Sequence, residues 1–401
     1  LFNLGDNTKE VFDNTFQFDN ATSFCYCDSN LYAFGGSFQS VGVGATIIYS
    51  NSLYRYNLLN NSWILVSTAN QLSYRVHVNS KCLNNKIYLY GGIKPISGAT
   101  SGNSSSLQDC EYADDGAVYD IQSNTWLTIP SHNNRSLVGS INNVMVPTSN
   151  KLIVWGGYGG TSNDRLSDLI PFSSSQQISL GKKDGIIYDF QTNTWTSMAT
   201  NSSTYMGSST STIHEPTYFM SGDELIFFGG YMINQYGGPA SLQGLFFKYN
   251  LINDSWQTIS LPNNVPSWLY SMVIPGAYYD GEKLTIITPF KTNQNSSDPR
   301  YFFAKNYFPS NDTWEDLDLN KLNRDHIYQD YRNGNAFSQT LILKNGSEYF
   351  FISKNNYNSN NPPSSYDYID LFKYKNESLV GYDYSSSNSE LRKIYYMYKK
   401  L

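Results

Sequence analysis

Four histidines, His77, His132, His214 and His326, and four cysteines, Cys25, Cys27, Cys82 and Cys110, carry the most reactive side chains in this 401-residue chain. No two histidines share an HxH or HExxH spacing, so none is placed to ligate a metal beside another. No G-x-S-x-G elbow offers a serine nucleophile, and no GxGxxG or Walker-like loop offers a phosphate cradle. DDG at 114–116 and SNDRLSD at 162–168 carry calcium-type ligands but are shorter than a calcium loop. These spacings lead us to expect no metal, no cofactor and no catalysis.

The cysteines all fall in the first third of the chain, so cross-links there would be local staples. On a strand Cys25 and Cys27 would point the same way, about 6 to 7 Å apart, which is poor geometry for bonding each other. A disulfide involving Cys82 or Cys110 is expected, with the pairing left open.

Charge excludes further classes. Asp, Glu, Lys and Arg make up 15% of residues, against roughly 25% in average soluble proteins. Net charge is −6, and pI is near 5.3 with mean hydropathy −0.43. Nothing basic enough to replace phosphate counterions is present, so no nucleic-acid partner is expected. No apolar run reaches the length of a membrane-spanning helix, and no membrane span is expected. The surface is polar through 44 Asn and 76 Ser or Thr instead, while 34 Tyr and 22 Phe supply a large core. The chain opens on Leu1 without a signal-peptide pattern, which fits a processed or truncated protein.

These residues must be positioned by a repeat. Five of the seven tryptophans follow a tyrosine by seven residues: Tyr56 and Trp63, Tyr119 and Trp126, Tyr188 and Trp195, Tyr249 and Trp256, Tyr307 and Trp314. Between them lie NLLNNS, DIQSNT, DFQTNT, NLINDS and FPSNDT, each a strand end followed by turn chemistry. Upstream of four pairs, an apolar run closes on two glycines: LYAFGG at Gly36, IYLYGG at Gly92, LIVWGG at Gly157 and LIFFGG at Gly230. A further strand precedes each run across a polar turn, as in VHVNSKCLNNKIYLYGG, so the unit is four antiparallel strands in about 60 residues.

An apolar run, Gly-Gly, a distant Tyr and a following Trp together resemble the kelch repeat, and residues 151–198 match it best. SYRVH at 73–77 is similar to the Arg and His motif before that family's innermost strand. The resemblance implies an all-β fold, a kelch-type β-propeller with one four-stranded blade per repeat. Six blades are expected, over 21–70, 71–132, 133–205, 206–264, 265–325 and 326–384. The last two depart from the pattern: KLTIITPF at 283–290 ends without Gly-Gly, and YFFIS at 349–353 with LFKYKNES at 371–378 lacks the Trp. Seven blades is the alternative, with residues 1–20 and 385–401 as a split blade. Either end, KEVFDNTFQF or LRKIYYMYKKL, could be a closing strand; the latter could instead be the stub of a membrane-proximal or partner-binding segment.

The propeller family includes enzymes that resemble galactose oxidase, with a copper centre of His, Tyr and a Tyr–Cys cross-link, and sialic-acid epimerases that use Glu and Arg. Arg75, Arg165 and Glu215 are the epimerase-type candidates, but no motif matches either ligand set. Sialidase SxDxGxxW boxes are lacking. In kelch proteins the loops joining the second and third strands often carry recognition, here 93–115, 158–184 and 231–243. Tyr158, Arg165, Asp168, Tyr231 and Tyr236 are the binding candidates they hold.

Ten N-x-Ser/Thr sequons occur, at Asn20, Asn60, Asn103, Asn134, Asn201, Asn253, Asn295, Asn311, Asn345 and Asn376, against about eight expected by chance at this composition. Asn60, Asn253, Asn311 and Asn376 recur at the turn before the outermost strand. The function expected is that of a non-enzymatic, secreted or cell-surface propeller glycoprotein that binds an extracellular protein or glycan, or serves in a homo-oligomer, filament or surface-layer assembly. The alternatives are a carbohydrate-active enzyme of galactose-oxidase-like or epimerase-like type and, third, an intracellular ubiquitin-ligase adaptor.

Overall fold

The computed structural model describes residues 2–3, 8–9, 22–28, 30–39, 47–57, 62–68, 72–95, 110–133, 141, 143–157, 182, 184–200, 212–214, 216–228, 231–233, 246–262, 276–291, 300–316, 339–345, 348–355, 368–375 and 378–382. Every regular element among them is a strand. Six four-stranded antiparallel sheets are present among the described residues, each with strand order 1-2-3-4 and each drawn from one continuous stretch of chain.

Sheet one comprises Ser23–Cys27, Asn30–Phe34, Ser52–Asn57 and Ser62–Thr68. Sheet two comprises Asn79–Leu83, Lys86–Tyr90, Gly116–Asp120 and Thr125–Ile129. Sheet three comprises Val144–Pro147, Lys151–Trp155, Gly185–Asp189 and Thr194–Ser197. Sheet four comprises Thr217–Ser221, Glu224–Phe228, Phe246–Asn250 and Ser255–Thr258. Sheet five comprises Gly276–Tyr279, Leu284–Lys291, Arg300–Phe308 and Thr313–Asp316. Sheet six comprises Gln339–Asn345, Glu348–Asn355, Tyr368–Lys375 and Ser378–Tyr382. Phe2–Asn3 pairs with Thr8–Lys9 in a two-stranded sheet of its own.

The second strands of sheets one to four are apolar without alternation because both faces of these sheets are buried. In sheet two, Ile87 and Leu89 pack with Cys27, Tyr32 and Phe34 of sheet one. Tyr88 and Tyr90 point the other way, onto Leu152, Val154 and Tyr188 of sheet three. Ile153 and Trp155 of sheet three then join Phe227, Phe228 and Phe246 of sheet four, whose cluster runs on to Leu284, Ile286 and Tyr307 of sheet five. First strands of sheets one, two and three adjoin in turn, as do those of five and six. Sheet one is also buried on its other face, through Phe24, Leu31, Ala33, Tyr56 and Trp63.

Each Tyr–Trp pair is a directly opposed cross-strand pair between third and fourth strands. In four of the five the indole then reaches backward to the preceding sheet. Trp126 Nε1 donates to Ser67 Oγ at 2.9 Å, Trp195 to the Pro130 carbonyl at 2.8 Å, Trp256 to the Ala199 carbonyl at 2.6 Å and Trp314 to the Ser260 carbonyl at 3.0 Å. The tyrosine hydroxyl is captured within its own turn, by Asn124, Asn193, Asp254 or Asp312 five residues on. Those four residues all have positive φ, 48° to 55°, a conformation that Asn and Asp tolerate better than other side chains do. The 120, 189 and 250 side chains brace three of these turns by accepting two backbone N–H bonds each.

One disulfide, Cys27–Cys82, joins the first strand of sheet one to that of sheet two across 55 residues of sequence. Cys25 is a buried free thiol facing the same neighbour. Burial pushes its pKa up to about 12 against a lowering hydrogen bond with Ser80, so it is an unreactive thiol at neutral pH.

Trp256→Phe keeps an aromatic ring but deletes the pyrrole half of the indole and its link to Ala199, and is expected to cost at least about 1 kcal/mol in urea unfolding. Alkali tests the tyrosine turns. Burial, reinforced by the bonded carboxylate, raises Tyr249 and Tyr307 above the ordinary phenol value. Above about pH 10 the unfolded chain loses protons that the native state keeps, so their stabilisation is complete below that pH and is lost as pH rises. Urea midpoints measured from pH 8 to 11 should therefore fall steeply in the wild type and less steeply in a Tyr249→Phe, Tyr307→Phe double variant.

Candidate binding face

A four-stranded meander returns its chain to the same end after the second strand and after the fourth. Connections between second and third strands therefore share one end of the sheets with the crossings from one sheet to the next. The tight turns after first and third strands share the opposite end.

At the connection end the chain keeps pairing beyond the glycines. Ser37–Gln39 pairs with Ile47–Tyr49, and Ile93–Pro95 pairs with Cys110–Tyr112. Tyr231–Ile233, which follows the second strand of sheet four, pairs with Thr212–His214, which precedes that sheet's first strand. In sheet five the second and third strands themselves continue, with Phe290 opposite Tyr301 and Lys291 opposite Arg300. Two-stranded ribbons thus project from this end over sheets one, two and four.

The crossing from sheet one to sheet two is built around Arg75, whose side chain is fully buried. Its Nη1 donates to Asp115 Oδ1 at 3.0 Å and to the Gly91 carbonyl at 3.1 Å, while Nη2 donates to Ser73 Oγ at 2.8 Å and Asp115 Oδ2 at 3.3 Å. Nε donates to the Ser73 carbonyl at 3.2 Å. A guanidinium carries five N–H donors in a planar fork, and this cage occupies that fork on all sides. Arg75's own backbone binds sheet one, its N–H donating to Ser50 and its carbonyl accepting from Gly36, while Val76 exchanges two bonds with Ile93 of the sheet-two ribbon. Gly35 makes this approach possible. Its φ is +68°, and a Cβ there would stand 2.6 Å from the Arg75 carbonyl.

Around this hub, Lys94 and Glu111 form an ion pair across the sheet-two ribbon at 3.3 Å. His132 stacks its ring on Tyr90 and meets Trp195 edge-on, and its backbone N–H donates to the Asp114 carbonyl. His77 is exposed and holds a positive φ of 55°. Among the described residues no group of three His, Cys, Asp or Glu side chains gathers to hold a metal ion, and Asp115 of the DDG segment is committed to Arg75.

The sequence candidates fall unevenly. Tyr231 lies on the sheet-four ribbon opposite His214. Tyr158, Arg165, Asp168 and Tyr236 lie outside the described residues, as do SNDRLSD, Glu215 and His326. Of the sequons, Asn253 and Asn311 occupy exposed turns and Asn345 closes a strand of sheet six. Asn20, Asn60, Asn103, Asn134, Asn201, Asn295 and Asn376 lie outside the described residues. Arg75, by sequence an epimerase-type proton-transfer candidate, is instead committed to the architecture by its cage. The signal was its place in SYRVH, two residues after a serine that could accept from it.

The opposite end carries ion pairs of its own, one within sheet four and one between sheets four and five. Lys248 of sheet four, itself almost fully buried, pairs with Glu224 Oε2 and with Asp312 of the next sheet, each at 3.2 Å. Asp254, in the tight turn of sheet four, accepts the N–H of Ala199, which follows the fourth strand of sheet three, at 2.7 Å.

No protein-family profile matches the chain, and no curated protein does. Among solved structures 254 chains match. One is the structure of YjhT, 16% identical, with a TM-score of 0.41 over 74% of this chain and 83% of that one.

Arg75→Met should lower stability by about 3–5 kcal/mol, since it strands Asp115 without its cation and several carbonyls without a donor. Chemical denaturation checks this, and Lys94→Met, on a half-exposed pair, should change stability by less than about 1 kcal/mol.

Proposed function

We propose that the chain is a closed six-bladed propeller of kelch type that works outside the cell as a binding or structural module, with the ribbon-bearing end as its docking face. The observation that carries this reading is the Cys27–Cys82 disulfide between adjacent sheets, a cross-link that persists in oxidising compartments and is rare in the cytosol. Ring closure is supported by sheet one, which buries apolar residues on the face turned away from sheet two as well as on the face turned toward it. A terminal sheet of an open stack would leave that second face to solvent.

A non-catalytic role is supported by where the polar side chains are spent. Arg75, Asp115, Lys248, Asp254 and Asp312 all bond to neighbouring strands or sheets, and each would have to leave such a partner to act on a substrate. Ribbons projecting from one end offer an extended edge of loops and strands for an extracellular protein or a glycan. The low charge density suits a surface that contacts partners by hydrogen bonds and aromatic rings.

Non-reducing peptide mapping of protein from its own cells should find the Cys27–Cys82 peptide, and reduction should lower stability by about 4 kcal/mol, the chain-entropy value for a loop of this length. Scattering should give a radius of gyration of about 21 Å, as for a compact single body of 401 residues. Reduced thiols in freshly isolated protein would overturn the extracellular reading, and turnover in sugar oxidation or epimerisation would overturn the non-enzymatic one.

A further inference from the structure

The turns between third and fourth strands of sheets two to five share the tyrosine, the αL Asn or Asp and the tryptophan, and one of the positions at which they vary bears on modification. Four residues after the repeat tyrosine stand Ser123, Thr192, Asn253 and Asn311. In sheet two, Ser123 Oγ bonds Thr125 Oγ1 at 2.7 Å, and in sheet three Thr192 Oγ1 bonds Thr194 Oγ1 at 2.7 Å. In sheet five the same pairing is made by an asparagine: Thr313 Oγ1 donates to Asn311 Oδ1 at 2.6 Å, and the Thr313 N–H donates to it at 3.2 Å. The αL residue that follows, Asp254 or Asp312, is fixed from inside by the tyrosine hydroxyl. The asparagine before it therefore points outward on a turn that requires no rearrangement to present it. Both asparagines are exposed, and neither side-chain nitrogen has a hydrogen-bond partner among the described residues.

We infer that Asn253 and Asn311 are N-glycosylated and that their glycans stand on the tight turns between the third and fourth strands of sheets four and five. The modification is a group transfer from a lipid-linked oligosaccharide diphosphate. The asparagine Nδ2 attacks C1 of the first sugar, the C1–O bond to phosphate breaks as the C1–N bond forms, a proton passes from Nδ2 to a base on the transferase, and the lipid diphosphate leaves. No electrons are gained or lost. The hydroxyl at the third sequon position, seen bonded to the amide oxygen of Asn311, leaves Nδ2 as the atom turned to solvent. Position in the meander fixes the sidedness: third-to-fourth-strand turns and second-to-third-strand connections lie at opposite ends.

This inference rests on the extracellular reading, and one preparation separates the two. Protein isolated from its own cells is digested without reduction, and its glycans are released enzymatically in heavy-oxygen water, which marks each occupied asparagine as a labelled aspartate. The expected result is label at both Asn253 and Asn311 alongside the Cys27–Cys82 peptide. The full chain carrying Asn253→Gln and Asn311→Gln, expressed in the same cells, should lose the mass of two glycans and keep the disulfide. Unlabelled Asn253 and Asn311 on disulfide-bonded protein overturns the glycan assignment alone, and unlabelled asparagines on fully reduced protein overturn both readings.

Discussion

A sheet that is apolar on both faces cannot stand alone in water, and everything else in this molecule follows from that. Sheets two, three and four each bury one row of side chains against the sheet before and the alternate row against the sheet after. At roughly 25 cal/mol per Å² of apolar surface removed from water, face-to-face stacking is strongly favoured but indifferent to registration. Registration comes from polar contacts that reach between sheets. The repeat tryptophan gives its indole N–H to the end of the previous sheet, and carboxylates at 254 and 312 add an amide and an ammonium from the same side. Tyrosine, the αL Asn or Asp, and tryptophan therefore work as one device: the first fixes the turn, the turn places the strand, and the strand aims the indole.

That device was legible in the sequence because its parts lie within eight residues of each other and recur. Tyr119, Asn124 and Trp126 announce themselves by spacing, and so do their counterparts in four other sheets. The strands of sheet five were legible despite the lost glycines, since Tyr307 and Trp314 kept their distance. Contacts made at long separation were not legible. Nothing local to Arg75 says that its partners lie at Gly91 and Asp115, and nothing in Lys248 points to Asp312, 64 residues on. The Cys27 and Cys82 pairing was open for the same reason: four cysteines in one region allow several pairings, and only the neighbouring of two first strands selects this one. Of the candidate site, the ribbon end was legible as loop lengths, while the cage that organises it was not.

The scarcity of charge also gains a meaning. Buried cations cost desolvation, and here each that is described as buried sits among acceptors, Arg75 in its cage and Lys248 between two carboxylates. Lys305 likewise pairs with Asp316 within its own sheet. Charge is thus concentrated where strands or sheets must be held at one spacing, and asparagine, serine and threonine dress the turns, where neutral hydrogen bonding suffices.

Because each sheet is a single uninterrupted stretch of chain, the molecule can be assembled in the order in which it is synthesised. Sheet one is complete once residue 68 has emerged, and its partner's first strand follows within 15 residues. The cysteines that join them are then both available, so the clamp can close while most of the chain is still unmade. Later sheets add one at a time onto an apolar face already ordered by its predecessor, as domains and repeats do when N-terminal parts fold first. Until each successor arrives, that face is the adhesive surface of the nascent protein, and the early clamp holds the first strands of sheets one and two together while it waits.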